Sequence, residues 1–228
     1  MGRAEPLVLA SISPRRAQLL SMLGVPFRVI EPAGAEDGRR RPEETPEEYA
    51  VRQARAKALT VARAVREGIV LGADTIVYLD GEVLEKPRDA REAAVFLERL
   101  SGREHEVVSG ICLARAGGEP WRCAHERSAV RFARLDRDTI ERYVATGEPL
   151  DKAGAYGIQG IGGMLIESIR GCYFNVMGLP LARLRSLFRE LPGNAPAPGN
   201  AGAPPASASK EARGSRSEEG CEEGERER

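Results

Sequence analysis

Ile69-Val70-Leu71-Gly72-Ala73-Asp74-Thr75-Ile76-Val77-Tyr78-Leu79, followed by Asp80-Gly81 and Val83-Leu84, is the stretch on which the fold turns. It is rich in β-branched residues, and Asp80-Gly81 is a two-residue hairpin signal. The pattern therefore predicts a strand over 69–79 that folds back into a short partner. One carboxylate, Asp74, stands inside the apolar run. A charge in a hydrophobic strand is costly unless it is paired, hydrogen-bonded or bound to a metal, which makes Asp74 a candidate functional residue. The alternative is a strand-end Asp that caps a neighbouring loop.

Working outward from this strand, apolar runs and amphipathic stretches alternate. Leu7–Ala10 reads as a buried strand. Ser13-Pro14 then opens a helix that ends at Gly24, with Ser13 as cap and Pro14 at the first helical position, where a missing N–H costs nothing. Phe27–Ile30 reads as a strand and 31–44 as a polar loop. A long helix from 45 or 46 to 67 carries the stripe Ala50, Ala54, Ala58, Val61 and Val65. Beyond the hairpin come a helix at 89–100 capped by Asp89 or by the preceding loop, strands near 105–115 and 121–134 joined by Gly117-Gly118, and a helix at 136–145. A glycine-rich stretch with strands to 174 and a last helix at 179–191 complete the body. The fold class is mixed α/β.

The composition changes after Leu191. Residues 192–228 contain no Leu, Ile, Val, Met, Phe, Tyr or Trp, too little apolar surface to offset the entropy of ordering. The expected organisation is a folded domain over 1–192 and a disordered Pro/Gly/Ala/Ser/Glu-rich tail over 193–228. With 34 basic and 34 acidic residues, the chain lacks the basic excess of a protein that grips nucleic acid electrostatically. It has no apolar run of about 20 residues for a membrane span and no secretory leader pattern. The expectation is a soluble cytoplasmic protein without nucleic-acid or membrane partners. Cys112, Cys123, Cys172 and Cys221 are far apart, and only His105 and His125 accompany them. They read as reduced thiols without a special role.

Four further features bear on chemistry. Ser11-Ile12-Ser13-Pro14-Arg15-Arg16 follows a strand and opens a helix, where backbone N–H groups, hydroxyls and guanidinium groups favour phosphate. An ordinary capped surface helix would look the same. Lys57 lies between Ala54 and Val61 of the long helix, so its ammonium runs along the buried edge, as a snorkelling lysine's also would. Lys86, in Glu85-Lys86-Pro87-Arg88, returns beside Asp74 after the hairpin. Finally, the glycines from Gly147 to Gly163 imply tight turns and close backbone approach. The dinucleotide, P-loop and G-x-S-x-G patterns are absent, which points to metal-assisted phosphoryl chemistry outside the P-loop class.

Taken together, Ser11-x-Ser13-Pro14-Arg15-Arg16, Gly72-Ala73-Asp74-Thr75-Ile76-Val77, Leu84-Glu85-Lys86-Pro87, Glu148-Pro149-x-Asp151-Lys152-Ala153-Gly154-Ala155-Tyr156-Gly157-Ile158-Gln159-Gly160 and Asn175-Val176-Met177-Gly178-Leu179-Pro180 resemble the Maf family of nucleotide pyrophosphatases, from Leu7 to about Pro192. The resemblance implies a two-lobed α/β fold around a cleft, similar to inosine-triphosphate pyrophosphatases. It also implies cleavage of a nucleoside triphosphate between the α and β phosphates, with Thr75 and Gln159 resembling the dTTP/UTP branch. By the same resemblance Asp74 is the proton acceptor, and Arg15, Thr75 and Gln159 bear on the choice of base. Ser11, Arg16, Lys57 and Lys86 would hold phosphates. Glu36, with Asp37 as the alternative, would join Asp74 at a divalent cation, Mg2+ or Mn2+. The family suggests a homodimer and is also linked with inhibition of septum formation, which leaves a non-enzymatic regulator of cell division as the rival reading. A third reading keeps the enzyme but gives it a modified or noncanonical nucleotide.

Overall fold

The computed structural model describes residues 5–35 and 38–191. The expected metal role of Glu36, its alternative Asp37, and the expected disorder of 193–228 lie outside the described residues.

Strand β1 (Leu7–Ala10) is followed by helix α1 (Pro14–Ser21) and strand β2 (Phe27–Ile30). Helix α2 (Pro46–Ala64) begins with a capping box. Thr45 Oγ1 accepts from Glu48 N, and the Glu48 side chain accepts from Thr45 N, so two N-terminal donors are satisfied at once. The helix stops at Ala64, three residues short of the sequence expectation. Val65 is already extended, and Gly68 takes φ 104° to turn the chain into β3 (Ile69–Leu79). Next come β4 (Glu82–Leu84), α3 (Ala90–Leu100), β5 (Glu104–Arg115), β6 (Glu119–Phe132) and α4 (Arg137–Ala145). Asp89 and Asp136 cap α3 and α4 through the backbone N–H groups of Glu92 and Thr139. The glycine-rich stretch forms three short 3-10 turns in place of most of the expected strand content, and only β7 (Ile166–Arg170) pairs into the sheet. Helices α5 (Tyr173–Met177) and α6 (Leu181–Arg189) end the described body.

The seven strands form one mixed sheet in the order β2-β1-β3-β5-β6-β7, with β4 beside β3. β1 runs parallel to both β2 and β3, and the remaining pairs are antiparallel. β5 covers one edge of β3 from Ile69 to Tyr78. On the other edge β1 pairs only with Ile69–Gly72 and β4 only with Val77–Leu79. Residues 73–76 therefore face a gap between two strands, just beyond the C-terminal end of β1. Gaps of this kind are where open α/β sheets receive ligands.

One face of the sheet carries α2. Val8, Ala10, Val70, Cys112 and Ala114 pack there against Ala54, Ala58, Val61 and Ala62. The opposite face carries two apolar clusters, which make the two lobes. Leu7, Leu9, Leu71 and Ile111 gather with α1 and α6 in one, and Val77, Val107 and Phe132 gather with α3 and α4 in the other. α2 lies unusually close to the sheet because Gly72 and Gly110 lack side chains. A Cβ on Gly72 would run into the Ala54 carbonyl and sit 2.6 Å from Ala58 N. One on Gly110 would meet the backbone of Ala50 and Val51.

Two sequence expectations need correction. Cys112 and Cys123 are not reduced thiols: they form a disulfide, with Cα atoms 4.0 Å apart. The two residues are direct partners in the β5–β6 register, placed symmetrically about the Gly117-Gly118 turn. Cys172 is free. Ser13 occupies the N-cap of α1 but its side chain caps nothing; its own N–H donates to Ser11 Oγ at 3.2 Å.

Candidate active site

The strand gap opens into a cleft of about 650 Å³. Ser11, Arg15, Arg16, Lys57, Asp74, Thr75 and Lys86, which the sequence reading singled out, all line it. Of the remaining candidates, Glu36 lies outside the described residues. Gln159 is half-buried and does not line the cleft, although its neighbours Gly157 and Ile158 do.

Asp74 shares a face of β3 with Gly72, since side chains alternate along a strand. That face looks toward α2, and the short helix-to-sheet distance brings Lys57 onto it. Lys57 Nζ donates to Asp74 Oδ1 at 2.5 Å, with only 20% and 17% of the two side chains exposed. Gly110 lies opposite Asp74 on β5. No described residue hydrogen-bonds Asp74 Oδ2, so this oxygen is left for a ligand or water.

Thr75 points through the sheet into a different environment. Arg16 Nη2 donates to Thr75 Oγ1 at 3.1 Å, Arg16 Nη1 to Ser11 Oγ at 3.2 Å and Arg16 Nε to the Gly178 carbonyl at 3.0 Å. Thr75 Oγ1 also lies 2.8 Å from Ser109 Oγ, and Ser109 donates to the Asn175 carbonyl. Arg16 thus joins the β1–α1 loop, β3 and the α5 terminus at one point. Burial lowers its pKa, and the Asp74 carboxylate opposes that shift. Its guanidinium is committed to this framework.

Lys86 is exposed, and no described residue pairs with it. Its neighbour Glu85 fixes its place. Tyr49 Oη donates to Glu85 Oε1 at 3.1 Å, and Gly154 N donates to the Glu85 carbonyl at 3.1 Å. Burial first, then the Glu85 carboxylate, push the Tyr49 phenol up to about 12, so Tyr49 stays a neutral donor.

The far wall is the glycine-rich stretch, which Glu148 organises. Its carboxylate accepts from Tyr143 Oη, Ile161 N and Gly162 N at 3.0, 3.0 and 3.1 Å. Tyr143 Oη in turn accepts from Gly157 N. Two cleft residues of this wall, Asp151 and Lys152, lie in the quoted motif but drew no role from the sequence. Glu31, on the loop after β2, lines the cleft as well. A carboxylate and a lysine adjacent in sequence are too common for the pattern alone to mark them.

A divalent cation fits this donor set only in part. Among the described residues no group of three or more His, Cys, Asp or Glu side chains could hold a metal ion by itself. The cleft offers the carboxylates of Asp74, Glu31 and Asp151 among its cations. Mg2+ typically takes one or two carboxylates plus substrate phosphates, so the residues suit a cation that arrives with a polyphosphate.

Fold and site together define a mixed α/β protein with a cationic cleft, built to receive a polyanion beside one shielded carboxylate. The chain belongs to the Maf family: the model described as Maf-like protein matches residues 6–191. It is 52% identical over 181 residues to a protein named dTTP/UTP pyrophosphatase from Symbiobacterium thermophilum, covering 78% of this chain and 90% of that one. Proteins of the same name from Dictyoglomus turgidum and Aquifex aeolicus are 46% and 43% identical, over 82% and 81% of this chain and 96% and 95% of theirs. Among solved structures, a nucleoside-triphosphatase / dITP/XTP pyrophosphatase from Mycobacterium abscessus is similar at 19% identity and a TM-score of 0.40, covering 82% of this chain and 98% of that one.

Proposed function

We propose that this chain hydrolyses pyrimidine nucleoside triphosphates, dTTP and UTP, at the α–β phosphoanhydride, giving the monophosphate and pyrophosphate. The observation that carries the reading is the shielded Asp74–Lys57 pair at a strand gap ringed by Arg15 and Lys86, in a chain closely similar to proteins named for that activity.

Asp74 Oδ2 accepts a proton from water as the water attacks the α-phosphorus, the task of a general base. Lys57 holds Asp74 in place through their ion pair. Charge gathering on the pyrophosphate leaving group is met by Lys57, Lys86 and Arg15, cations that already line the cleft. Arg16 orients Ser11 and Thr75, whose hydroxyls it binds directly. We assign the choice of base to Thr75, which lines the cleft, and to Gln159, which stands behind the cleft residues Gly157 and Ile158 in the chain. Asp74, with Glu36 or Glu31, would hold a divalent cation, Mg2+ or Mn2+. When bound, that ion supplies neutralisation of the phosphate charge.

A panel of nucleoside triphosphates with added Mg2+ or Mn2+, read for pyrophosphate and for orthophosphate, tests the reading. Pyrophosphate from dTTP and UTP is expected. Orthophosphate release, or no cleavage of either nucleotide, contradicts it.

A further inference from the structure

One cation of the cleft is left over by this mechanism. Lys152 is only 11% exposed, and its Nζ donates to Asp151 Oδ1 and to the Glu148 carbonyl, each at 2.6 Å. Its stem lies across Gly157, where a Cβ would stand 2.7 Å from Lys152 Cε and 2.8 Å from Cδ. A side chain at 157 would therefore displace the end of this lysine from its present path. Asp151 reaches in the other direction too. Its Oδ2 lies 3.6 Å from Nη1 of Arg15, on α1 across the cleft, and its side chain is 66% exposed. All three residues line the cleft.

We propose that Asp151 is a placeholder carboxylate that holds Lys152 and Arg15 across the cleft in the free protein, and that Lys152 becomes a further phosphate-binding residue once a polyphosphate displaces it. The inference rests on the triphosphate reading above. An exposed ion pair is weak because water screens it, whereas a polyphosphate offers several charged oxygens to the same two cations. Burial disfavours ionisation of Asp151, but the hydrogen bond and charge of Lys152 and the charge of Arg15 outweigh it, so the carboxyl stays ionised and its pKa lies below the usual range. With the ligand seated, that carboxylate becomes a like-charge neighbour of the phosphates. It limits affinity and speeds departure of pyrophosphate.

The test is calorimetric titration of inorganic tripolyphosphate and of pyrophosphate into the full chain and its Asp151→Asn, Asp151→Glu, Lys152→Gln and Asp151→Asn/Lys152→Gln variants, with kcat and KM for dTTP measured alongside. Asp151→Asn is expected to bind tripolyphosphate about fivefold tighter, the scale of one solvent-screened charge contact. KM and kcat should fall together, with the melting temperature unchanged. Asp151→Glu should restore wild-type values. Lys152→Gln should bind several-fold weaker and should blunt the gain from Asp151→Asn. Equal or weaker binding by Asp151→Asn, or wild-type binding by Lys152→Gln, overturns the proposal. Failure of the wild-type chain to cleave dTTP or UTP would strike the functional reading alone, because the tripolyphosphate titrations need no turnover.

Discussion

Lys57 reaches Asp74 because Gly72, two residues before Asp74 on β3, lets the backbone of α2 settle onto the sheet. The distance from helix to sheet is thus part of the site. Ala50, Ala54 and Ala58 supply the small side chains on one surface, and Gly72 and Gly110 supply bare backbone on the other.

Gly72→Ala should therefore damage stability and activity together. Forcing a methyl group into this contact should cost about 1–3 kcal/mol, read as a lower urea midpoint. The variant should also lose turnover because Lys57 is lifted from Asp74. Full stability together with full activity would show that the close approach is dispensable.

Arg16 is bound to Gly178, Ser11 and Thr75, so its removal should act first on the framework. Arg16→Met leaves those acceptors without their donor and should destabilise by about 2–4 kcal/mol, the scale of losing charged hydrogen bonds in a buried setting. Arg15→Met, at a partly exposed position, should hardly shift the melting temperature but should raise KM for dTTP. Equal stability losses in the two variants would contradict this division.

Tripping the glycine-rich wall should loosen a whole segment. Glu148→Ala removes the acceptor for Tyr143, Ile161 and Gly162. It should speed amide exchange over 157–163 and destabilise by about 1–3 kcal/mol. Unchanged exchange there would mean that the loop is held by other contacts.

His105 sets an acid limit. It is buried between Phe132 and Tyr156, its Nε2 is 2.6 Å from Tyr156 Oη, and burial pushes its pKa down from 6.5 to about 4. Between those pH values the unfolded chain binds a proton that the folded chain does not. Stability should therefore rise with pH from about 4 to 6.5 and be lost as pH falls through that window. His105→Gln should flatten the slope in thermal melts across this range, whereas an unchanged slope would assign it to other groups.

Much of this was legible in local patterns. The Asp80-Gly81 turn, the Ser13-Pro14 start and the Asp89 cap rest on nearest-neighbour chemistry, and they fall where the sequence puts them. Asp74 was conspicuous because an ionised group in an apolar strand must be accounted for. The Cys112–Cys123 bond depends on a register shift between Leu113 and Ala114, since the pairing next to the Gly117-Gly118 turn would by itself place Cys112 one residue away from Cys123. Other relationships have no local signature. Arg16 meets Gly178 across 162 positions, and the service Gly157 does for Lys152 depends on how the 3-10 turns fold back. Ser13 looked like a cap, yet Ser11 Oγ takes its N–H.

The central claim is that Asp74 activates the water that cleaves the α–β anhydride. It is tested most directly by pyrophosphate release from dTTP by the wild-type chain and by Asp74→Asn, with circular dichroism and melting temperature confirming that both are folded. Loss of the base should lower turnover by about 10²–10⁴-fold while nucleotide binding persists. A correctly folded Asp74→Asn protein that releases pyrophosphate at the wild-type rate would contradict the account.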